Sequence, residues 1–467
     1  MWRQLKTSPS LKKRTLKKTI LVASALALLS YTMVMVTQGQ FVASDPGVRG
    51  GPPGAGGMIA GLTVQEQKFF QDGQNRFLEV DSVSGTIPGE AGSGLGPRFN
   101  LNSCVGCHAQ PATGGTSPFT NPEFTVGNLD GATNTIPFFV TSNGPVREAR
   151  FKFNPDGTRD GGVHALFTIT GRIDATGCGI AQPDFNAAAA ANNLIFRIPT
   201  PVFGGGLIEE IHDATIVANQ NSNLSAKAAL GISGHPNRNG NDGTIARFGW
   251  KAQNKSLQLF SGEAYNVEMG VTNEIFQTER DETPGCLFNP TPEDHTNFNL
   301  DQPQKVFSDV VMFSHFMRFL APPTPAPDTP SIANGRALFN STAATGCALC
   351  HTPTLTTGSA ASAALSNRPV NLFSDLLAHH MGPGLADNIV QGQAGPDEFR
   401  TAPLWGLGQR IFFLHDGRTT NLVQAIQAHK SLSDGVFPNS EANAVIDKFN
   451  ALTPSQQQDI LNFLRSL

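Results

Sequence analysis

The chain is 467 residues long and carries 33 basic against 37 acidic residues, a formal net charge of −4. With no basic excess it lacks the electrostatic footprint of a nucleic-acid binder. The length exceeds one ordinary domain, so two or more are expected.

The first seven charged residues, Arg3, Lys6, Lys12, Lys13, Arg14, Lys17 and Lys18, are all basic. The apolar run "ILVASALALLSYTMVMV" follows them, before the first acidic residue, Asp45. A basic stretch leading into a short apolar one is the pattern of an export signal, and "VAS" before Asp45 offers small residues for cleavage. Residues 1–44 therefore read as a signal peptide, or as a single membrane anchor if the segment is retained. Its removal leaves 26 basic residues against 37 acidic, a net charge of −11. The folded part is expected outside the cytoplasm, in the periplasm if the cell is Gram-negative. An acidic surface there suits a donor or acceptor protein with a basic docking face.

A helix is expected over "TVQEQKFFQDGQNRFLEV", and it leads into "LNSCVGCHAQP". Two thiols three residues apart on an incipient helical turn can add to the two vinyl groups of one haem, and the histidine that follows then sits beneath the iron. Cys104, Cys107 and His108 make one such site. The pattern returns in "TGCALCHTP", where Cys347, Cys350 and His351 make a second. A zinc knuckle would need four ligands collected at each site, and a redox dithiol has no use for the trailing histidine in both copies. Two covalently bound haem c groups per chain are therefore expected. The remaining cysteines, Cys178 and Cys286, sit in Gly-containing loops and are expected to form a structural disulfide in an oxidising compartment.

Between His108 and the amphipathic helix "SDVVMFSHFMRFL" lies a long insertion rich in Gly, Asn and Thr. Short runs such as "HALFTIT" and "NLIFRIP" predict loops and short strands there. A simple electron carrier does not need this material; built over one haem, it suggests a pocket, a lid or an interface. "APPTPAPDTPS" cannot continue a helix and reads as a stiff, exposed linker. Helices follow over "SIANGRALFNS" and over "TPSQQQDILNFLRSL", whose Thr-Pro start is a cap signature. The expected fold is mainly α: two cytochrome c-like haem modules over 45–320 and 331–467, joined by a Pro-rich linker at 321–330, the first carrying a large loop-rich insertion with short β-strands.

The stretches "GLGPRFNLNSCVGCHAQPATGG", "IPTPVFGGGLIEEI", "ARFGWKAQNKSLQLFSGEAYNVEMGVTNE" and "APLWGLGQRIFFLHDGRTTNLVQAIQAHK" resemble the di-haem oxidoreductase family, often labelled thiol oxidoreductases. That family is a distant relative of bacterial di-haem cytochrome c peroxidases, MauG-type enzymes and rubber oxygenases. The resemblance implies a sixth ligand for the C-terminal haem at the end of the helix in "HDGRTTNLVQAIQAH", which here is His429. His379 and Met381 compete for that role, and His380 stands where the family usually carries an acidic residue. A bis-histidine iron is closed to substrate and suited to electron transfer. The N-terminal haem lacks an early distal histidine, since none occurs between His108 and His164. It is therefore expected to be open, or held by a displaceable ligand such as Met269. Arg247, Trp250, Glu263, Tyr265 and Glu268 are the candidate catalytic residues over it: the glutamates for proton transfer, Tyr265 as a hydrogen-bond donor. Trp250 and Trp405 are candidates for the path between the haems, and His415, Asp416 and Arg418 for the interface near the second haem. Relatives hold a calcium ion between the modules, although no stretch here resembles a complete calcium loop.

The expected function is an exported, peroxidase-like oxidoreductase with a reactive N-terminal haem and an electron-transfer C-terminal haem. Its partner is a periplasmic redox protein or a small-molecule oxidant, with a membrane involved only if the leader is retained. The alternatives are a pure electron-transfer cytochrome and a dioxygen-using, rubber-oxygenase-like enzyme. Thiol oxidation would have only Cys178 and Cys286 behind it.

Overall fold

The computed structural model describes residues 42–300 and 306–467. The expected signal peptide falls outside them except for residues 42–44. Among the described residues no helix is long and apolar enough to cross a membrane.

The first long helix, α1 (Val64–Phe77), starts at a capping box in which the Thr63 side chain accepts from the Glu66 amide and the Glu66 side chain accepts from the Thr63 amide. These two bonds satisfy donors that a helix start would otherwise leave open. Phe70, Gly73 and Phe77 share its buried face. The insertion holds a small antiparallel sheet of β1 (Glu148–Phe151), β2 (Val163–His164) and β3 (Leu194–Arg197), with β1 in the centre. Two of its strands fall within or beside the expected runs. Two further helices there, Asp213–Gln220 and Leu224–Leu230, were not expected from the sequence. Cys178 and Cys286 are joined by a disulfide.

Helices α2 (Leu257–Met269) and α3 (Asp309–Phe319) complete the N-terminal half, with α3 packed on both α1 and α2. The C-terminal half follows as α4 (Pro330–Asn340), α5 (Leu422–Gln427), α6 (Asn443–Ala451) and α7 (Pro454–Ser466), with α4 packed on α7. Both helix crossings are closed by glycine. A Cβ at Gly73 would lie 2.3 Å from the Met312 carbonyl oxygen, and one at Gly335 would lie 1.9 Å from that of Asp459. The backbones touch, and no side chain fits between them.

The Pro-rich stretch is extended, as expected, but it is not a free spacer. The amides of Ala321, Thr324 and Ala326 donate to the carbonyls of Gly57, Gly54 and Ser466 at 2.9, 2.8 and 2.7 Å. Proline blocks a helix but leaves neighbouring amides open, and here the chain binds them to both halves. Ser44–Leu467 accordingly forms one unit. Its two ends also meet: the Arg465 guanidinium donates from Nε and Nη2 to the two carboxylate oxygens of Asp45, both at 2.7 Å.

Candidate functional site

Each Cys-x-x-Cys-His motif forms the wall of a large, mostly apolar cavity. The N-terminal cavity, about 1060 Å³, is lined by Cys104, Cys107 and His108 together with residues from α2, α3 and the sheet. The C-terminal cavity, about 1440 Å³, is lined by Cys347, Cys350, His351 and His429, with apolar side chains from α4 to α7. All four motif cysteines are free, whereas the other pair is bridged. Burial pushes the Cys104 and Cys107 thiols well up and that of Cys347 to about 11. Thiols that resist ionisation make a poor redox dithiol.

The histidines are set for ligation. His108 Nδ1–H donates to the Gly115 carbonyl at 2.9 Å, His351 Nδ1–H to that of Phe373 at 3.0 Å, and His429 Nδ1–H to that of Ala425 at 2.8 Å. In each ring this fixes the tautomer and leaves Nε2 with its lone pair free. Burial lowers all three from the ordinary imidazole value, His351 to about 4, so the rings are neutral at pH 7. Free thiols three residues apart, a neutral imidazole and an apolar cavity on each side fit a haem in both places.

The two cavities differ in what faces the motif. The C-terminal one carries two further neutral imidazoles, His429 just beyond the end of α5 and His415, which burial lowers to about 4. His379 lines it too, but its ring is held between two buried carboxylates, Nδ1 to Glu441 at 2.7 Å and Nε2 to Asp375 at 3.0 Å, so neither nitrogen is free. His380 pairs with Asp397 and Glu398, each at 3.1 Å. Met381 lines the cavity as part of a small apolar cluster. His415 stacks on Phe399, with ring centres 4.3 Å apart, while Asp416 accepts from Arg418 Nε at 2.7 Å in the turn below.

The only histidine among the described residues lining the N-terminal cavity is His108. Ser261, Ala264, Tyr265 and Glu268 enter it from one face of α2, as positions i, i+3, i+4 and i+7 must. Glu268 accepts from Asn100 Nδ2 at 2.8 Å and shares a hydrogen bond with Glu148. The β1–β3 register puts Glu148 opposite Arg197, and the strand period puts Arg150 on the same face as Glu148. Burial, then the Glu148 charge, pushes the Glu268 carboxyl well above its ordinary value. Burial would raise Glu148 as well, but Arg150, whose Nε donates to it at 2.6 Å, and the Arg197 charge hold it low. The pair is thus one carboxylic acid donating to one carboxylate.

Two expected residues lie elsewhere. Glu263 accepts from Asn254 Nδ2 and does not line the cavity, because it lies two residues before Tyr265 and so on another side of α2. Arg247 turns away, donating from Nη2 to Asp213 at 2.5 Å and to the Ile211 carbonyl at 2.8 Å. Tyr265 does line the cavity, but its hydroxyl donates to Asp81 at 2.9 Å and so is engaged. Met269 Sδ lies 3.9 Å from Cys104 Sγ, against the attachment thiol. Glu148, Arg150, Arg197 and Gln253 were missed, although all four line this cavity.

Trp250 is the one tryptophan on the walls of both cavities, and its Nε1–H donates to the Ile198 carbonyl at 2.8 Å. Trp405 lines neither of them but two smaller cavities. Among the described residues a single group of metal-ligand atoms lies within 4.8 Å of one another, at Cys350, Asp375 and His379. A thiol and an imidazole do not make a calcium donor set.

The residues at both motifs fit a haem, and the family the chain matches is a di-haem one. Residues 155–467 match the family described as "Di-haem oxidoreductase, putative peroxidase", and the chain belongs to it. It is an oxidoreductase of the di-haem peroxidase kind, mainly helical with few short strands. The match begins after the first Cys-x-x-Cys-His motif. No curated protein matches the sequence. Among solved structures, a MauG-like protein associated with microbial copper homeostasis is 17% identical, with 58% of this chain and 90% of that one covered and a TM-score of 0.30. The diheme peroxidase BthA from Burkholderia thailandensis is 16% identical, with 58% and 86% covered and a TM-score of 0.29. Hydrazine synthase from Kuenenia stuttgartiensis is 16% identical with a TM-score of 0.23; the match covers 36% of this chain and only 56% of the synthase chain.

Proposed function

We propose that this chain is an exported di-haem c-type cytochrome that reduces peroxide at its N-terminal haem, drawing electrons from a periplasmic redox protein through its C-terminal haem. The observation that carries the reading is the asymmetry of the cavities: several imidazoles line the C-terminal one, His351 and His429 each with Nε2 free, whereas among the described residues His108 is the one imidazole on the N-terminal one, beside an acid pair. His351 and His429 would close the C-terminal iron, and His108 would leave its iron open on the far side.

When bound, the haems would supply iron centres for one-electron chemistry. The chain does the rest. Reduction of hydrogen peroxide to two waters consumes two protons and two electrons. Glu268 holds one proton ready at pH 7, Glu148 accepts its hydrogen bond, and solvent replaces each proton used. Arg150 and Arg197 add positive charge to the wall where negative charge develops. Trp250 spans the wall between the cavities and offers an aromatic step for the electron.

Low-temperature EPR of the oxidised protein tests this. One high-spin and one low-spin signal are expected, with His429→Met changing only the low-spin one. Two low-spin signals would refute the open site and favour the electron carrier.

A further inference from the structure

Between the two cavities lies the third, about 550 Å³, sharing Trp250 with both. Arg400 and Arg410 line this middle cavity and also the C-terminal one. Both are buried at 8% exposure, and neither makes an ion pair among the described residues. Arg400 donates only to backbone carbonyls, from Nε to Gly249 at 3.0 Å and from Nη1 to Thr401 at 3.2 Å. Arg410 is poorer still: its Nε and Nη2 are buried and have no hydrogen-bond partner. Its guanidinium lies 5.8 Å from the centre of the Trp250 ring. Arg247 Nε, on the same middle cavity, is a further buried donor without a partner.

The Asp375 charge supports Arg400, but no carboxylate does so for Arg410 among the described residues; a buried charge without a counter-ion costs several kcal/mol, and unmade hydrogen bonds add about 1–3 kcal/mol per group. Burial lowers both Arg400 and Arg410 to about 10, still far above neutrality, so both remain cations. The open Nε and Nη2 of Arg410 are the edge of a guanidinium that matches a carboxylate, and Arg400 lines the same two cavities.

We infer that Arg410 and Arg400 are the binding site for the propionate carboxylates of the C-terminal haem, and that Arg410 raises that haem's reduction potential by offsetting propionate charge. The inference rests on the di-haem reading above. Haem carries its own carboxylates, so no outside ligand is needed. A positive charge near the iron favours the reduced form, because reduction adds an electron. Arg410 and Arg400 are positioning residues here; neither touches peroxide.

The test is spectroelectrochemistry on the full-length holoprotein, with haem content measured alongside. Arg410→Gln is expected to retain two haems and to shift the C-terminal couple at least tenfold toward the oxidised form at fixed ambient potential, a drop of about 59 mV for one electron. Arg410→Lys should recover most of that shift, and the N-terminal couple should move less. Unchanged potentials with two haems bound would overturn the inference while leaving the di-haem reading intact; fewer than two haems in the parent protein would overturn that reading instead. A parent potential that moves with added acetate or phosphate would assign the site to a free anion and overturn the propionate assignment. If Arg410→Gln fails to take up haem, resonance Raman of Arg410→Lys and Arg400→Lys decides. A displaced propionate-bending band supports the site, and an unchanged band removes it.

Discussion

Replacing Glu268 by glutamine separates its proton from its packing. Glu268 is the neutral member of the acid pair, accepting from Asn100 at 2.8 Å and donating to Glu148. Glutamine has the same shape: its Oε1 keeps the Asn100 bond and its Nε2–H keeps the Glu148 bond. No buried group is left unpaired, so stability should stay within about 1 kcal/mol of the parent. Leucine at the same place would strand the Glu148 and Asn100 groups, at a cost of about 3–5 kcal/mol. What glutamine cannot do is release a proton, and loss of a general acid lowers turnover by about 10²–10⁴-fold. The pH dependence follows the same logic. A carboxyl raised on folding destabilises the native state as pH climbs from its unfolded value toward its folded one, so the parent should lose stability over that range and Glu268→Gln should lose less. Urea melts at several pH values and stopped-flow peroxide turnover measure both effects. A variant that folds like the parent and keeps parental turnover would refute the proton role; one that unfolds would show that Glu268 is needed as a charge.

Asp387 accepts from Arg197 Nη2 at 2.6 Å and lies 3.1 Å from Lys251, all three buried. Asp387→Asn leaves two buried cations short of a partner and should cost about 3–5 kcal/mol in urea melts. Burial opposes the Asp387 charge, but the two cations hold its carboxyl low. The contribution is therefore present above the unfolded Asp value and lost as pH falls through the folded one, and the variant should be flat there. Gly335→Ala gains up to about 1 kcal/mol of helix propensity but drives Cβ into the Asp459 carbonyl at 1.9 Å. Since the obstacle is backbone, overpacking of about 1–3 kcal/mol wins, and a lower urea midpoint checks it. Removing the disulfide by Cys178→Ser with Cys286→Ser opens a loop of 108 residues. The expected loss approaches 4.7 kcal/mol, read as a lower melting temperature with haem content unchanged.

The two Cys-x-x-Cys-His motifs were legible because each needs three residues within five positions, and those residues line the two cavities. The long helices were legible from cap and spacing. The acid pair was only half legible. Glu268 could be picked from its helix, but Glu148 and Arg197 meet it through strand pairing across almost 50 residues, which no local pattern records. Glu263 was separable in advance: the face holding Ser261, Ala264, Tyr265 and Glu268 is a plain helical repeat that excludes it. Arg247 could not have been placed, since it lies on an irregular loop whose direction only the fold sets. Arg410 was invisible for a different reason: its significance is the absence of a partner, and a sequence displays only what is present.

The clasp between Asp45 and Arg465 sets an order on how this protein can be made. Two half-buried hydrogen bonds tie Asp45 to the last helix. A chain that emerges from its amino end must therefore wait for its final turn before that lock can close. Any prematurely ended product lacks the latch and leaves Asp45 without its counter-charge.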